Sequence, residues 1–235
     1  MSKSIKHLFF DLDMTVAPAR QPILPEMYAL LLSLSHDIVI VSGQEVSKIE
    51  WQTNNLPALR LGQNGNHATE SDGTELWNVP LDAAHRTEIL NHIQLLLGEI
   101  NHEINHSWNP IEDRGAQITF SPIGNTAPVA VKMMYDPDRK KREALLKQVP
   151  FVSDELIVKI GGSTSIDYIH KNRHKGENVR KLIERKGWDK NACIYFGDGL
   201  FPGGNDEAVI GVIETVPVRD HVHTYELLRK FEKRD

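Results

Sequence analysis

The chain of 235 residues is long enough for one large domain or two small ones, and its 40% of hydrophobic residues can supply a core. Its formal net charge of −5 excludes the broadly basic surface that sequence-independent binding of nucleic acid requires. A single cysteine, Cys193, excludes an internal disulfide, and no apolar run resembles a signal peptide or reaches the length of a membrane span. We therefore expect a cytoplasmic protein that binds neither nucleic acid nor membranes.

The first predicted element is a buried parallel strand over residues 7–10, which ends in Asp11 and Asp13. Carboxylates two positions apart on a strand share a face and repel each other, unless a cation lies between them or one of them is protonated. Ligands of open α/β sheets bind beyond the carboxyl ends of the strands. The pair therefore indicates a divalent metal at Asp11 and a proton-transferring Asp13. An ordinary turn that caps a helix is the structural alternative.

The next elements alternate between helix and strand. Apolar spacing predicts a helix over residues 26–32, and residues 37–41 predict a second buried strand with Ser42 at its tip. A helix over 45–52 and a short strand over 59–62 follow. This βαβαβ pattern is typical of one half of a doubly wound sheet. Ser42 is a candidate functional residue, with the N-cap of the following helix as its alternative role.

Residues 81–171 interrupt the alternation, and we expect them to form an inserted α+β domain. Helices are predicted over 81–98 and 137–148. Strand-like runs occur at 117–120, 129–134, 156–160 and 165–169. Such a set fits a four-stranded antiparallel sheet with its helices on one side. A domain inserted into an α/β core can act as a lid that excludes water from the strand ends.

The α/β pattern then resumes, so the predicted core comprises residues 1–80 and 172–235. A helix is expected over 176–186, a strand over 193–196, and a short strand and helix after Gly211. The predicted fold class is α/β, with a Rossmann-like doubly wound parallel sheet and an inserted α+β cap.

The order of polar residues along this core resembles that of the haloacid dehalogenase superfamily of phosphotransferases. Its four motifs place the same residue types at strand tips or on the helix between them. Here they fall at Asp11 and Asp13, Ser42, Lys175, and Asp198 with Asn205 and Asp206. Further strings are similar to those of eukaryotic-type phosphomannomutases and extend over nearly the whole chain. They are residues 17–21, 121–124, 160–167 and 196–206.

The resemblance implies roles that suit phosphoryl chemistry. A phosphoryl group carries negative charge on three oxygens, so its transfer needs positive charge, directed donors and an aligned nucleophile. Asp11 is the expected nucleophile, which forms an aspartyl-phosphate, and Asp13 the expected general acid and base. Ser42 and Lys175 are expected to hold the transferring oxygens.

The implied cofactor is Mg²⁺, which prefers oxygen ligands and keeps several waters. We expect Asp11, the backbone carbonyl of Asp13, and Asp198 to hold it. Asn205 and Asp206 are further candidates, for orienting Lys175 or metal-bound water more than for direct ligation.

The resemblance also implies residues that bind the sugar and a second phosphate. These are Arg20 in the core and Arg114, Ser165 and Asp167 in the cap. Three positions depart from the family pattern: Met14 replaces a glycine, and Asn125 and Lys132 replace arginines. Neither Asn nor Lys can bind phosphate bidentately as Arg does. Asn125 and Lys132 should therefore hold a distal phosphate more weakly.

His102 and His106 form a His-Glu-x-x-His pattern that is also found in zinc proteases. We expect no zinc there, because the further Gly and third His of the metzincin pattern are missing and the segment runs directly into Ser-Trp-Asn-Pro.

The favoured function is interconversion of mannose 6-phosphate and mannose 1-phosphate, with a hexose bisphosphate as activator. The alternative is a sugar-phosphate phosphatase on the same residues, in which water attacks the aspartyl-phosphate. A third hypothesis is a catalytically silent sugar-phosphate-binding protein, against which Asp13 argues because a binder needs no proton donor. The sequence leaves the oligomeric state open, a homodimer included.

Overall fold

A computed structural model describes residues 5–101 and 103–231 of the chain. The chain divides into two compact units, Met1–Asn78 with Arg173–Asp235, and Val79–Asn172. We call these the core unit and the inserted unit. Together they confirm the predicted fold class, an α/β core with an α+β insertion. Within the described ranges, no helix combines the length and the apolar character that crossing a membrane requires.

The described residues form the following elements. The strands are β1 (His7–Asp11), β2 (Asp37–Val41), β3 (Leu59–Gly62), β4 (His67–Thr69), β5 (Glu75–Asn78), β6 (Ile111–Asp113), β7 (Gln117–Phe120), β8 (Leu156–Gly161), β9 (Ser165–His170), β10 (Cys193–Gly197) and β11 (Glu214–Pro217). The α-helices are α1 (Pro25–Ser33), α2 (Val46–Gln52), α3 (Ala83–Glu99), α4 (Val129–Tyr135), α5 (Lys140–Gln148), α6 (Lys175–Lys186) and α7 (His221–Phe231).

The core sheet has seven strands in the order β11-β10-β1-β2-β3-β4-β5. The first five are parallel, whereas β4 and β5 add antiparallel pairs at one edge. All five residues of β1 are buried, as expected for a central parallel strand with both faces covered. Phe10 stacks on Phe196 of the neighbouring β10, with ring centroids 5.1 Å apart. Because β1 lies between β10 and β2, their carboxyl ends share one edge of the sheet.

The start of α6 is fixed by a close backbone approach. His174 is the N-cap, and its ring accepts a hydrogen bond from the Glu177 N. A Cβ on Gly176 would overlap the carbonyl oxygen of Ala208, so only glycine fits there. Gly187, at φ 64°, ends the helix in the left-handed conformation. These contacts set the position of Lys175, the first residue of the helix.

The inserted unit contains a four-stranded antiparallel sheet in the order β6-β7-β9-β8. Its core packs the apolar face of α3, through Ile89, Ile93 and Leu96, with residues of β7 and β9 that include Phe120 and Tyr168. This spacing of apolar residues on α3 is the one that predicted the helix.

The prediction of a strand over residues 129–134 is wrong, because these residues lie in α4 and the fourth strand is β6. The alternating valines suggested a strand. No residue of α4 is buried, however, so this segment has no sheet face to which an alternating apolar pattern could correspond. Pro128 precedes the helix, and its carbonyl accepts from the Lys132 N at 3.1 Å. The helix expected from 137 begins only at Lys140, after Arg139 at φ 66°.

Candidate active site

The polar residues predicted at the strand ends of the core unit lie close together. Asp11 ends β1 and is 3% exposed. The Lys175 ammonium donates to Oδ1 of Asp11 and, at 2.7 Å, to Oδ1 of Asp206. Asp198 directly follows β10. One carboxylate oxygen from each of Asp11, Asp198 and Asp206 lies within 4.8 Å of the others, so three acidic groups face one buried ammonium.

This excess of negative charge perturbs the titration of the cluster. Burial, opposed by the charge of Lys175 and assisted by the carboxylates of Asp206 and Asp198, raises the pKa of Asp11 to about 8. Burial and Asp206 also raise the pKa of Asp198. Burial alone would lower the pKa of Lys175, but Asp11 and Asp206 outweigh it and raise that pKa. Unbalanced buried carboxylates of this kind fit a divalent cation with oxygen ligands.

Asp198 and Asp206 are held in different ways. The Asp198 N donates to Oγ1 of Thr15 at 3.1 Å, and the Thr15 hydroxyl lies 3.4 Å from Oδ1 of Asp198. Asp206 accepts from Lys175, from the Tyr195 hydroxyl at 2.7 Å, and from the Gly199 N at 3.1 Å. Three donors therefore fix the Asp206 carboxylate, which suits a residue that orients Lys175.

Asn205 packs beside the same loop. A Cβ on Gly199 would overlap the side-chain oxygen of Asn205, so the glycine lets this amide lie against the backbone. The side chain of Asn205 thus supports the loop that carries Asp198 and Asp206.

The carboxylate of Asp13 is held by three N–H donors. The Arg20 N donates to Oδ1 at 2.6 Å, Nε2 of Gln52 to Oδ1 at 2.7 Å, and Nε2 of Gln44 to Oδ2 at 2.9 Å. Gln44 also donates to Oε1 of Gln52 at 2.8 Å, which closes a ring of side chains. A carboxylate has about four lone-pair sites, so this ring leaves one, on Oδ2, for a transferred proton.

Sequence reasoning missed both glutamines. Gln52 is fully buried at the end of α2, and Gln44 follows the tip of β2. The only available signal was the proximity of Gln44 to Ser42 in the sequence, since an uncharged amide belongs to no motif that we considered.

Ser42 and Arg20 lie near this ring. Ser42 is 3% exposed, and its Oγ accepts from the Gln44 N at 3.2 Å. The N-cap of α2 is Glu45, so the alternative role of Ser42 as that cap is wrong. The Arg20 backbone at φ 55° directs its N–H to Asp13, while the side chain is exposed.

Met14 adopts φ 61°, a left-handed conformation that favours glycine. The left-handed backbone is therefore the physical reason for the glycine that the family pattern has at this position. Met14 is tolerated because its side chain is 36% exposed and meets no close packing constraint, at a backbone cost of about 1 kcal/mol.

In the inserted unit, two of the predicted substrate-binding residues contact Thr119, and two more interact with those two. Its hydroxyl donates to Oδ1 of Asp167 at 2.8 Å, and its carbonyl accepts from Nδ2 of Asn125 at 3.3 Å. Burial raises the pKa of the Asp167 carboxyl, and the Arg114 charge opposes that shift. The Lys132 ammonium donates to the carbonyl of Asn125.

These side chains already have protein partners. Nδ2 of Asn125 also donates to the Pro110 carbonyl at 3.2 Å, and Nη2 of Arg114 pairs with Oε2 of Glu112 at 2.7 Å. The predicted sugar contact Ser165 begins β9 opposite Gly161, where a Cβ would overlap the Asp167 carboxylate. The missing side chain at Gly161 thus leaves room for the acidic group.

The His-Glu-x-x-His pattern does not have the helix that a zinc-protease site needs. Its first residue, His102, lies outside the described residues. Residues 103–105 are irregular, and a short 3₁₀ turn covers His106–Trp108. A helix is what would place both histidines on one face, so no such site is built by the described part of the pattern.

Comparison with known proteins gives a family and several relatives. Residues 8–208 match the family model of haloacid dehalogenase-like hydrolases. A probable phosphomannomutase of Caenorhabditis elegans is 27% identical over 240 residues, which cover 89% of this chain and 87% of that protein. A phosphomannomutase of Spinacia oleracea is 27% identical over 222 residues, covering 88% of this chain and 87% of its own length.

Solved structures share the fold. A haloacid dehalogenase-like hydrolase from Bacillus subtilis superposes with a TM-score of 0.68 at 12% identity, covering 96% of this chain and 99% of that one. A phosphatase of the same superfamily from Bacteroides thetaiotaomicron has a TM-score of 0.66 at 14% identity, covering 98% of this chain and 96% of its own.

Proposed function

The chain belongs to the family of haloacid dehalogenase-like hydrolases, and we propose that it transfers phosphoryl groups of a phosphorylated hexose through an aspartyl-phosphate at Asp11. The observation that carries this most directly is the buried contact of Lys175 with Asp11 and Asp206, beside Asp198 at the same sheet edge. A buried Asp is a poor structural choice without a partner, whereas a lysine-paired Asp at a strand tip suits a nucleophile.

In the proposed step, an oxygen of Asp11 attacks the phosphorus and the bond from phosphorus to the sugar oxygen breaks. Asp13 donates a proton to the departing sugar oxygen. The next acceptor, a sugar hydroxyl or water, then attacks the phosphorus and gives its proton to Asp13, while the bond from phosphorus to Asp11 breaks. Lys175 holds Oδ1 of Asp11, so we assign the attack to Oδ2. We assign to Lys175 and Ser42 the contacts with the transferring oxygens, because an ammonium and a hydroxyl can both donate to them.

Asp11, the backbone carbonyl of Asp13, and Asp198 would hold Mg²⁺, which when bound supplies positive charge for the phosphoryl oxygens. The raised pKa values of Asp11 and Asp198 support this choice, because a bound cation would stabilise both carboxylates in their charged form. Asp206, with its three protein donors, would position Lys175, and Asn205 would support the loop.

The reaction that we favour is interconversion of mannose 6-phosphate and mannose 1-phosphate, since the relatives that span most of the chain are named phosphomannomutases. A mutase must hold the distal phosphate of a bisphosphate intermediate while the other phosphate reacts. We assign that task to Arg114 and Lys132 in the inserted unit, and sugar contacts to Arg20, Ser165 and Asp167. A cytoplasmic location belongs to the same proposal.

A phosphatase is the second candidate, and one observation favours it. Both amide donors of Asn125 are directed to the backbone carbonyls of Pro110 and Thr119, and Arg114 is already paired with Glu112. The distal phosphate would then find few uncommitted donors, so the sugar bisphosphate would dissociate or be hydrolysed more readily. We expect mutase activity with phosphate release as a substantial side reaction.

Phosphorus NMR of mannose 1-phosphate with enzyme, Mg²⁺ and a hexose bisphosphate follows both products in one sample. Mannose 6-phosphate together with inorganic phosphate is the expected result. Inorganic phosphate without mannose 6-phosphate at every activator concentration would exclude the mutase and leave the phosphatase. Neither product, from enzyme that binds Mg²⁺, would refute phosphoryl transfer on this substrate.

A further inference from the structure

We propose that the inserted unit carries a second cation site, formed by His85, Glu155 and His170, which binds a divalent cation of the zinc type. One ligand atom from each residue lies within 4.8 Å of the others. These residues belong to the inserted unit and include none of those assigned above to phosphoryl transfer. Binding of a cation here is therefore independent of the proposed reaction.

Backbone contacts hold the three ligands in place. Glu155 directly precedes β8 and His170 ends β9, where Leu156 pairs with His170. The Lys171 N donates to the Glu155 carbonyl at 2.8 Å, which extends the ladder across both ligands. His85 lies in the first turn of α3, and its N donates to the capping Asp82 at 2.8 Å. A site on two paired strands and a capped helix needs little backbone movement to close on a cation.

The separation of the two imidazole rings suits a shared cation. Their centroids are 5.8 Å apart and their planes are inclined by 88°. Two imidazoles on one tetrahedral zinc, with Zn–N bonds of about 2.0–2.1 Å, have centroids roughly 5 Å apart. Closure from the observed separation is less than an ångström, which side-chain rotation alone can supply.

Nε2 of His85 lies 2.8 Å from Oε2 of Glu155. A hydrogen bond at this position requires a proton between the imidazole lone pair and the carboxylate oxygen. Both atoms are zinc ligands, so the cation can replace that proton. The pair must then separate by roughly half an ångström, which the exposed Glu155 side chain permits because ligands of a tetrahedral zinc lie about 3.4 Å apart.

The other nitrogen of His85 has the outer contact typical of a metal-bound histidine. Nδ1 is buried, has no aligned hydrogen-bond partner among the described atoms, and lies 3.2 Å from Oδ1 of Asp82. A small rotation of the ring toward a cation would align Nδ1–H with this carboxylate. A carboxylate behind a ligating histidine fixes its tautomer and strengthens the ligand.

His170 would exchange a backbone partner for the cation. Its Nδ1 accepts from the Asn172 N at 3.1 Å, in an exposed turn. Ligation through this nitrogen would release the Asn172 N–H, which lies in the exposed turn, to water. The resulting set of two nitrogens and one oxygen favours zinc over Mg²⁺, which prefers oxygen ligands throughout.

Zinc titration of the full chain tests the site. The protein is first freed of metal by a chelator, and zinc is then added against a chromophoric chelator in excess Mg²⁺, which occupies the acidic cluster of the core unit. We expect one equivalent of zinc to bind, and Co²⁺ in its place to give the intense visible absorption of a tetrahedral site. Glu155→Gln, an exposed change that does not threaten folding, should weaken zinc binding at least tenfold, as should His85→Gln.

A matched control is His67→Gln. Nε2 of His67 lies 3.2 Å from Oε2 of Glu75, but no third ligand joins this pair within the described residues. The control should bind zinc as the unchanged protein does. Absence of zinc binding in excess Mg²⁺ would overturn the site, as would equal affinity in the unchanged protein, Glu155→Gln and His85→Gln.

Discussion

Replacing Gln52 by Met tests whether the ring of amides orients Asp13. The side chain keeps its approximate length and volume, but Asp13 loses the 2.7 Å bond from Gln52 and Gln44 loses one of its two side-chain acceptors. A hydrogen bond to a charged group contributes about 1.5–3 kcal/mol. If that contribution serves the orientation of Asp13 in the transition state, kcat should fall about 10- to 100-fold, since about 1.4 kcal/mol corresponds to a factor of ten.

The loss should depend on the leaving group. A hexose phosphate releases a basic alkoxide oxygen that needs a proton from Asp13, whereas an aryl phosphate releases an oxygen that needs little protonation. Gln52→Met should therefore lower kcat for the hexose phosphate much more than for the aryl phosphate, with KM nearly unchanged. Steady-state kinetics on both substrates, at saturating Mg²⁺, measure this difference.

Thr53→Val is the matched control, because Thr53 is buried next to Gln52 and its hydroxyl donates to the Ile49 carbonyl at 2.8 Å. This change should cost about 1 kcal/mol of stability without touching Asp13. Equal losses on both substrates in Gln52→Met would refute the role of the amide ring, and so would a kinetic profile identical to that of Thr53→Val.

Three further outcomes are expected. Asp11→Asn keeps the shape of the site but removes the attacking charge, so turnover measured as phosphate release should fall by several orders of magnitude. A variant that retains about a tenth of the activity would exclude the covalent step. Met14→Gly relieves the left-handed backbone at φ 61°, and its stability by urea unfolding should equal or exceed that of the unchanged chain by up to about 1 kcal/mol, whereas Met14→Ala should show no gain. Asp136 is buried with Arg142 at 2.7 Å; burial raises the pKa of Asp136, but the Arg142 bonds outweigh burial and lower it. The stability contributed by this pair should be present above the ordinary Asp pKa near 4 and be lost as the pH falls through the lower folded value. Asp136→Asn should therefore cost about 3–5 kcal/mol of unfolding free energy at pH 7. Between pH 5 and 3 this variant should lose less stability than the unchanged chain does.

The strands that carry the candidate site were predictable because each is a continuous apolar run that ends in a polar residue. Almost every residue of β1, β2 and β10 is buried, and this burial appears in the sequence as an unbroken run of apolar residues. The short strands β4, β5 and β6 were not predicted. Each has only three or four residues and includes polar or charged ones, so pairing with a neighbour, not the sequence of the strand, determines the conformation.

Within the site, the charged residues were easier to predict than the amides that hold them. The strand ends at Asp11 and Asp198 and the helix start at Lys175 can be recognised from the sequence alone, because each charged residue stands next to an apolar run or a helix signal. Gln52 lies 39 residues from Asp13 in the sequence, and only the return of α2 to the end of β1 brings their side chains together. A buried glutamine at a helix end looks the same in sequence whether it caps, packs or orients a catalytic group.

In the proposed function the two units have different tasks, and the formation of the aspartyl-phosphate is separate from the choice of its acceptor. Asp11, Lys175 and Asp206 are linked by buried contacts within the core unit. We therefore expect changes in the inserted unit to leave those contacts intact. Asn125 and Lys132, which replace the expected arginines, lie in the inserted unit and are tied to backbone carbonyls. Formation of the aspartyl-phosphate should therefore be insensitive to these two positions, whereas the competition between water and a sugar hydroxyl for that intermediate should depend on them. Asn125→Arg is expected to shift the products from inorganic phosphate toward mannose 6-phosphate without changing the rate at which the phosphoenzyme forms, and a change in that rate alone would show that the two tasks are not separable.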